Sequence, residues 1–449
     1  MKNFSQIGFI LATLGSSIGL GHIWRFPYMA GQNGGGAFVL LFLVLLLVIG
    51  VSLLLADMII GNRGKKDVVS CFEMLDPTPT KKWKYAGIAI IGGPLILSFY
   101  AVILGWILYY LVVVSFDLPK DLRTSKQTFE YLMGAGIYWQ IIGFSGCLFL
   151  SALIVSFGIK KGIELLNLVL MPLLFIIFIG LLVYTLFQPS FLKAWHFLFD
   201  FKYEAIDANV LISALSQVFF SLSLGVGTII TYAAATSNSQ NLFKSALWIV
   251  LTGLLISIIA GLMIFTFFFG YDGDLGEDST QSIGLVFISL PLIFSEFGST
   301  GQILSVAFLL ALLFAGITST ISMLEPMVSF LVNRHNFSRI SATWGVSFIV
   351  FIIGMFALYS MTKDYKALLS FGGKNIFVWL NFLTASFIMP LSSLCCILFL
   401  GFVIKKDTLR SYTTSFLNHT LFEIWYFIIR FVAPIVIVSI LIFKLLEPQ

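Results

Sequence analysis

Gly15-Ser-Ser-Ile-Gly-Leu-Gly-His-Ile-Trp-Arg-Phe-Pro-Tyr28 lies in an apolar stretch long enough to cross a bilayer, and its polarity at that depth decides the fold. A glycine in a helix interior costs about 1 kcal/mol relative to alanine. Gly15, Gly19 and Gly21 together with Ser16 and Ser17 therefore argue for a local break. A second cluster of this kind, Ser221-Leu-Ser-Leu-Gly-Val-Gly227, lies in another apolar stretch. Broken backbone at membrane depth survives only where protein or a water-filled cavity satisfies its polar groups. One such cluster also reads as close helix packing, where small residues let backbones approach. Two clusters placed alike, five spans apart, point to paired breaks in an internal repeat, with a binding site at the repeat interface.

The rest of the chain fits that setting. Its 449 residues are 59% hydrophobic and 10% charged, with a mean hydropathy of +1.01. A soluble globular chain carries about a quarter charged residues, so that class is excluded, as are disordered, collagen-like, coiled-coil and secreted disulfide scaffolds. Cys71, Cys147, Cys395 and Cys396 have neither metal-site nor disulfide spacing. The net charge of +5 implies no nucleic-acid partner, because basic residues at loop ends are what membrane orientation requires. Eleven apolar stretches are expected to span, near 6–30, 36–61, 86–114, 139–159, 162–187, 209–236, 242–270, 299–333, 339–361, 375–404 and 421–446. The expected fold is an all-α polytopic membrane protein, 1–449 as one domain. It comprises a 5+5 inverted repeat (1–187 and 209–404), broken helices 1 and 6, and an extra helix at 421–446.

No small-residue cleavage site follows the first apolar stretch, so that helix is expected to stay. Lys and Arg concentrate around Arg63–Lys66, Lys81–Lys84, Lys160/Lys161 and Lys405–Arg410, whereas 271–298 carries Asp272, Asp274, Glu277, Asp278 and Glu296 without a basic residue. The positive-inside rule then places the N-terminus inside and the C-terminus outside. Ile283–Phe294 is too short to span and reads as an outer, membrane-edge lid of one or two short helices.

Gly15–Tyr28, followed by Asn33-Gly-Gly-Gly-Ala-Phe38, resembles the first-helix signature of the neurotransmitter:sodium symporter family, in its shorter bacterial, 11-span form. Ser223–Tyr232 and Phe314-Ala-Gly-Ile-Thr-Ser319 resemble that family's sixth-helix and eighth-helix motifs, and the similarity runs over essentially the whole chain. The resemblance implies a sodium-coupled amino-acid carrier of a bacterial inner membrane, not an enzyme. It implies one sodium site made by the carbonyls of Gly15, Ile18 and Ala315 and the hydroxyls of Thr318 and Ser319. At the family's second sodium site the matching positions are His22, Gly253 and Ser221. Glycine has no side-chain oxygen and histidine offers a nitrogen, so a single sodium is expected. Gln217, Ser221 and Ser257 match chloride-site positions of animal members, but Phe42 stands where a tyrosine is needed, so chloride dependence is not expected.

Glycine at position 19 is the amino-acid-carrier choice in this resemblance, where monoamine carriers have an aspartate. The substrate carboxylate would meet N–H groups near Leu20 and Gly21 and the Tyr100 hydroxyl. Its ammonium would meet carbonyls near Ser17, Phe220 and Ser221 and the Ser223 hydroxyl. Its side chain would face Ile96, Phe220, Val226, Ser319 and Met323, which implies a neutral aliphatic or aromatic amino acid. Arg25, a charge within a span and so functional by default, would form the outer gate with Asn381, with Phe220 packed on Tyr100. The inner gate would retain Asp57, with Lys2, Phe4 and Asn333 at its other positions. Glu325 reads as an acid paired with a nearby basic residue. His22 has three readings: a neutral group beside substrate, a titrating group that couples protons, or a hydrogen-bonded packing residue. The alternatives to sodium symport are a proton-coupled or sodium-independent carrier using His22, and a non-transporting sensor homologue.

Overall fold

In a computed structural model of the chain, which describes residues 4–201, 203–273, 282–362 and 364–446, nearly every apolar stretch is helical. Among the described residues nine helices are long and apolar enough to cross a membrane. They are span 2 (Gly36–Gly64), span 3 (Lys82–Phe116), span 4 (Ile137–Ser156), span 5 (Ile159–Leu186), span 7 (Leu242–Gly270), span 8 (Gly298–His335), span 9 (Arg339–Tyr359), span 10 (Ile376–Val403) and span 11 (His419–Leu445). Span 1 is the bent pair Gln6–Ser17 and Gly21–Gln32, whose halves meet at 52°. Span 6 is split into Ala208–Ser221 and Thr228–Ala234. The two glycine–serine clusters thus fall at the two breaks; ten of the eleven stretches are long and apolar enough to cross when the bent pair counts as one span, and the eleventh, span 6, is a pair of shorter helices.

Polar residues set the starts of these helices. Asp207, Asn241, Ser338, Asn375 and Asn418 each accept a backbone N–H from the first turn of the helix that follows. Ser5 caps span 1 in the same way through Gly8 N, while its own N–H and hydroxyl donate to Glu164 on span 5 at 3.1 and 2.5 Å. Spans 3 and 8 pack along each other, and 72% of the apolar window of each is buried, against 28% for spans 5 and 11. The first pair is therefore the scaffold centre, and spans 5 and 11 lie at the bundle's edge.

Span 8 carries Glu325, fully buried, whose carboxylate is gripped by both terminal nitrogens of Arg339 at the start of span 9. Arg339 also donates from Nε to the Val155 carbonyl at 2.8 Å, which ties span 4 to the pair. Removing one partner of a buried ion pair leaves an uncompensated charge and costs about 3–5 kcal/mol. Glu325→Ala is thus expected to lower the thermal unfolding midpoint of the detergent-purified protein sharply. A midpoint equal to that of the parent would contradict this role.

The 271–298 connection differs from the expected membrane-edge lid. Helical residues Ser282–Ser295 are buried from Leu285 to Phe294. Phe287 sits 5.0 Å from Tyr110, 6.0 Å from Trp106 and 6.2 Å from Trp24, centroid to centroid. Apolar side chains all round a short helix leave no face for water, so it packs inward as a plug. Asp274, Glu277 and Asp278 lie outside the described residues. Short helices at Val68–Leu75, Leu122–Met133, Phe191–Phe199 and Lys406–Thr413 and a hairpin pairing Ser370–Phe371 with Lys374–Asn375 lie in the connections.

Candidate functional site

The break in span 1 begins at Ile18, whose ψ of 86° takes the chain out of the helix before a π-helical turn, Gly21–Arg25, restarts it. The break in span 6 is sharper. Ser223, Gly225 and Gly227 have φ of 50°, 79° and 80°. Ser223 adopts the left-handed region at a cost of about 1–2 kcal/mol, offset by its hydroxyl donating to the Ser16 carbonyl at 2.7 Å. That bond joins the two breaks directly. Gly225 is held against the Met389 backbone of span 10, where a side chain would collide with the carbonyl.

Between the breaks lies a cavity of about 20 Å³ lined by Ser16, Ser17, Gly19, Leu20, Gly21, Ile96, Tyr100, Phe220, Ser223, Val226, Ser319, Met323 and Met389. Ten of the eleven residues expected to meet substrate are on this wall; the eleventh, Ser221, is buried beside it with its hydroxyl accepting from Gln217 at 3.0 Å. Met389 was missed by sequence reasoning, because nothing marks which residue of span 10 crosses the other break. The Leu20 N–H donates to the Tyr100 hydroxyl at 3.1 Å. A β-carbon on Gly19 would lie 2.6 Å from Ser319 Oγ and 2.8 Å from Tyr100 Oη, so these groups converge where only glycine fits.

The residues expected to hold sodium cluster on the far side of the span 1 break. Ser319 Oγ is 3.3 Å from the Gly15 carbonyl oxygen and 3.0 Å from that of Ala315. Thr318 Oγ1 is 3.0 Å from the Ala315 oxygen, and Ile18 is the residue at which span 1 stops. Buried carbonyl and hydroxyl oxygens without a neighbouring charge suit a hard monovalent cation. The neighbouring set built on His22 does not. His22 Nδ1 is 2.7 Å from Ser257 Oγ, and its ring fills the space beside Gly253, where a β-carbon would lie 2.9 Å from Nε2. The imidazole has taken the volume that a side chain at 253 would need. Gln217 donates to the Gly21 carbonyl at 2.8 Å, and Phe42 lies in a ring cluster 5.2 Å from Phe26.

Above the small cavity a larger one of about 280 Å³ opens away from the N-terminal end, with Arg25, Phe220 and Asn381 on its wall. Arg25 and Asn381 share the cavity, but the partners of Arg25 are Ser216 Oγ, at 3.0 Å, and the Phe220 ring, 4.6 Å beneath the guanidinium. Phe220 thus packs under Arg25, and no ring pair with Tyr100 is formed among the described residues. At the opposite end Phe4 N–H donates to the Ala235 carbonyl at 2.8 Å and its ring meets Tyr232 edge-on at 5.4 Å. Asn62 of span 2 and Lys65, just past its end, also donate to Thr236. Asn333 bonds back to Ser329 on its own helix, and Lys2 lies outside the described residues. Asp57 lies within span 2, well before its end; it is buried beside Cys396 of span 10, and none of the described ion pairs includes it.

Two broken helices that meet at a buried cavity, closed at one end and open at the other, define the class: a secondary transporter built from a helical bundle. The chain belongs to the sodium:neurotransmitter symporter family, whose model matches residues 2–133 and 132–449. It is 32% identical over 444 residues to an uncharacterized sodium-dependent transporter, YhdH, of Bacillus subtilis (strain 168), covering 97% of this chain and 96% of that one. The crystal structure of MhsT in complex with L-phenylalanine superposes with a TM-score of 0.88 at 34% identity, over 98% of this chain and 99% of MhsT. The sodium-dependent neutral amino acid transporter B(0)AT2 of Rattus norvegicus is 26% identical over 299 residues, which cover 58% of this chain and 40% of the transporter. The protein is thus a sodium-coupled membrane transporter and not an enzyme.

Proposed function

We propose that the protein imports a neutral amino acid with an aliphatic or aromatic side chain, together with one sodium ion, by alternating access. The observation that carries this reading is the convergence of Leu20 N–H, Tyr100 Oη and Ser319 Oγ on Gly19. Donors and hydroxyls meet there at the restart of a broken helix, which favours an anionic group such as a carboxylate. Ser223 and the Ser17 and Phe220 backbones line the same cavity, where with Ser221 beside it they would meet an ammonium. Ile96, Val226, Met323 and Met389 leave an uncharged compartment for the side chain. A cavity of about 20 Å³ is far smaller than an amino acid, so entry requires Phe220 and the Arg25 contact above it to move.

A single sodium fits the two neighbouring ion positions: one is lined with oxygens, and the other is filled by His22 against Gly253. Chloride is not needed in this reading, since Phe42 offers no hydroxyl. Residues 1–187 and 209–404 act as the two halves of an inverted repeat, and spans 1, 2, 6 and 7 rock against a scaffold that includes spans 3, 4, 8 and 9. The protein sits in a bacterial cytoplasmic membrane with its N-terminus inside, where the contacts of Phe4 with span 6 close the inner side. The bond from His22 to Ser257 favours a packing histidine over a proton carrier.

Uptake of labelled phenylalanine or leucine into proteoliposomes under separate sodium and proton gradients tests the proposal. Sodium-stimulated uptake with a Hill slope near one is expected. Uptake driven by the proton gradient alone, abolished in His22→Gln, would replace it with the proton-coupled reading, and no uptake under either gradient would favour a sensor.

A further inference from the structure

We propose that Asn167 of span 5 supplies a further side-chain oxygen to the sodium site, so that spans 1, 5 and 8 all hold the ion. The inference rests on the sodium site proposed above. Asn167 is fully buried, within the apolar run Leu165-Leu-Asn-Leu-Val169. Its Nδ2 donates to the Ile163 carbonyl of its own helix at 2.8 Å. That bond sets which way the amide faces, since only the nitrogen can donate. Oδ1 is then left buried, with no hydrogen-bond partner among the described residues.

This oxygen is aimed at the sodium cluster. A β-carbon on Gly15 would clash with this oxygen, and that β-carbon position is 3.1 Å from Thr318 Cβ. Gly15 and Thr318 are two of the five residues proposed to hold the ion, so the orphan oxygen lies at their junction. A buried acceptor with no donor carries its full desolvation penalty. A hard cation removes that penalty, and an amide oxygen is a good ligand for one. Span 5 would thereby sense whether the ion is present.

The test is the thermal unfolding midpoint of the detergent-purified full-length protein, titrated with sodium chloride against choline chloride at fixed ionic strength. Asn167→Ala is expected to raise the sodium concentration for half-maximal stabilisation by about fivefold to tenfold, the loss of one oxygen contact. Asn167→Asp, which keeps the shape and adds a charge, is expected to lower it. Thr318→Ala serves as the reference and is expected to raise it by about tenfold or more. If both Asn167 variants titrate like the parent while Thr318→Ala needs more sodium, Asn167 is a packing residue and the inference is overturned. If Thr318→Ala also titrates like the parent, the sodium site itself is wrong and the inference falls with it. Should Asn167→Ala fail to fold, the direction of the Asn167→Asp shift decides.

Discussion

Replacing Thr318 by alanine is expected to raise the sodium concentration for half-maximal transport by about tenfold or more, with little change in apparent substrate affinity at saturating sodium. The expectation comes from where the hydroxyl points. Thr318 Oγ1 lies 3.0 Å from the Ala315 carbonyl and, unlike Ser319, is not on the wall of the cavity proposed to take substrate. Losing one oxygen from a small neutral ligand set is worth about 1.4 kcal/mol or more, which is tenfold in affinity. Ser319 stands between the two sites, since its hydroxyl faces the Gly15 carbonyl and also the cavity. Ser319→Ala is therefore expected to weaken sodium and substrate together. Sodium-dependence curves of uptake at several substrate concentrations separate the two cases. Identical curves for Thr318→Ala and the parent would remove Thr318 from the ion site.

Gly19→Asp should have an even larger effect on amino-acid uptake, a loss of about a hundredfold or more. Its β-carbon would lie 2.6 Å from Ser319 Oγ and 2.8 Å from Tyr100 Oη, so either the hydroxyls or the break must shift. Its carboxylate would also stand where the substrate carboxylate is proposed to sit, and juxtaposed like charges cost several kcal/mol. Gly19→Ala separates the terms, because it brings the steric conflict without the charge. Amino-acid uptake that survives in Gly19→Asp would place the carboxylate elsewhere and reopen the substrate class.

Much of this was legible in the sequence because membrane depth makes polar residues conspicuous. Clusters such as Gly15–Gly21 and Ser221–Gly227 cannot hide in an apolar stretch, and each coincides with a break. Glu325, a lone acid in span 8, required a basic partner, and Arg339 is it. What escaped depends on how helices face one another, which no single stretch records. Met389 lines the cavity only because span 10 crosses the span 6 break at Gly225. Arg25 and Asn381 share a cavity as expected, yet Ser216 and Phe220 are nearer to the guanidinium. Asp57 is a buried neighbour of Cys396 rather than a member of a described ion pair. Asn167 drew no notice as one amide in an apolar run, until the direction of its unpaired oxygen gave it a neighbourhood. The Leu285–Phe294 plug packs further in than its hydropathy suggests, since hydropathy gives its length but not which cleft it fills.

The proposed ion set is a reduced one, one sodium per amino acid with the second position occupied by His22 against Gly253. Parallel measurement of labelled sodium and labelled amino acid entering the same proteoliposomes tests it most directly. A flux ratio of about one sodium per substrate, unchanged by removing chloride, is the expected result, and a ratio of two would contradict it.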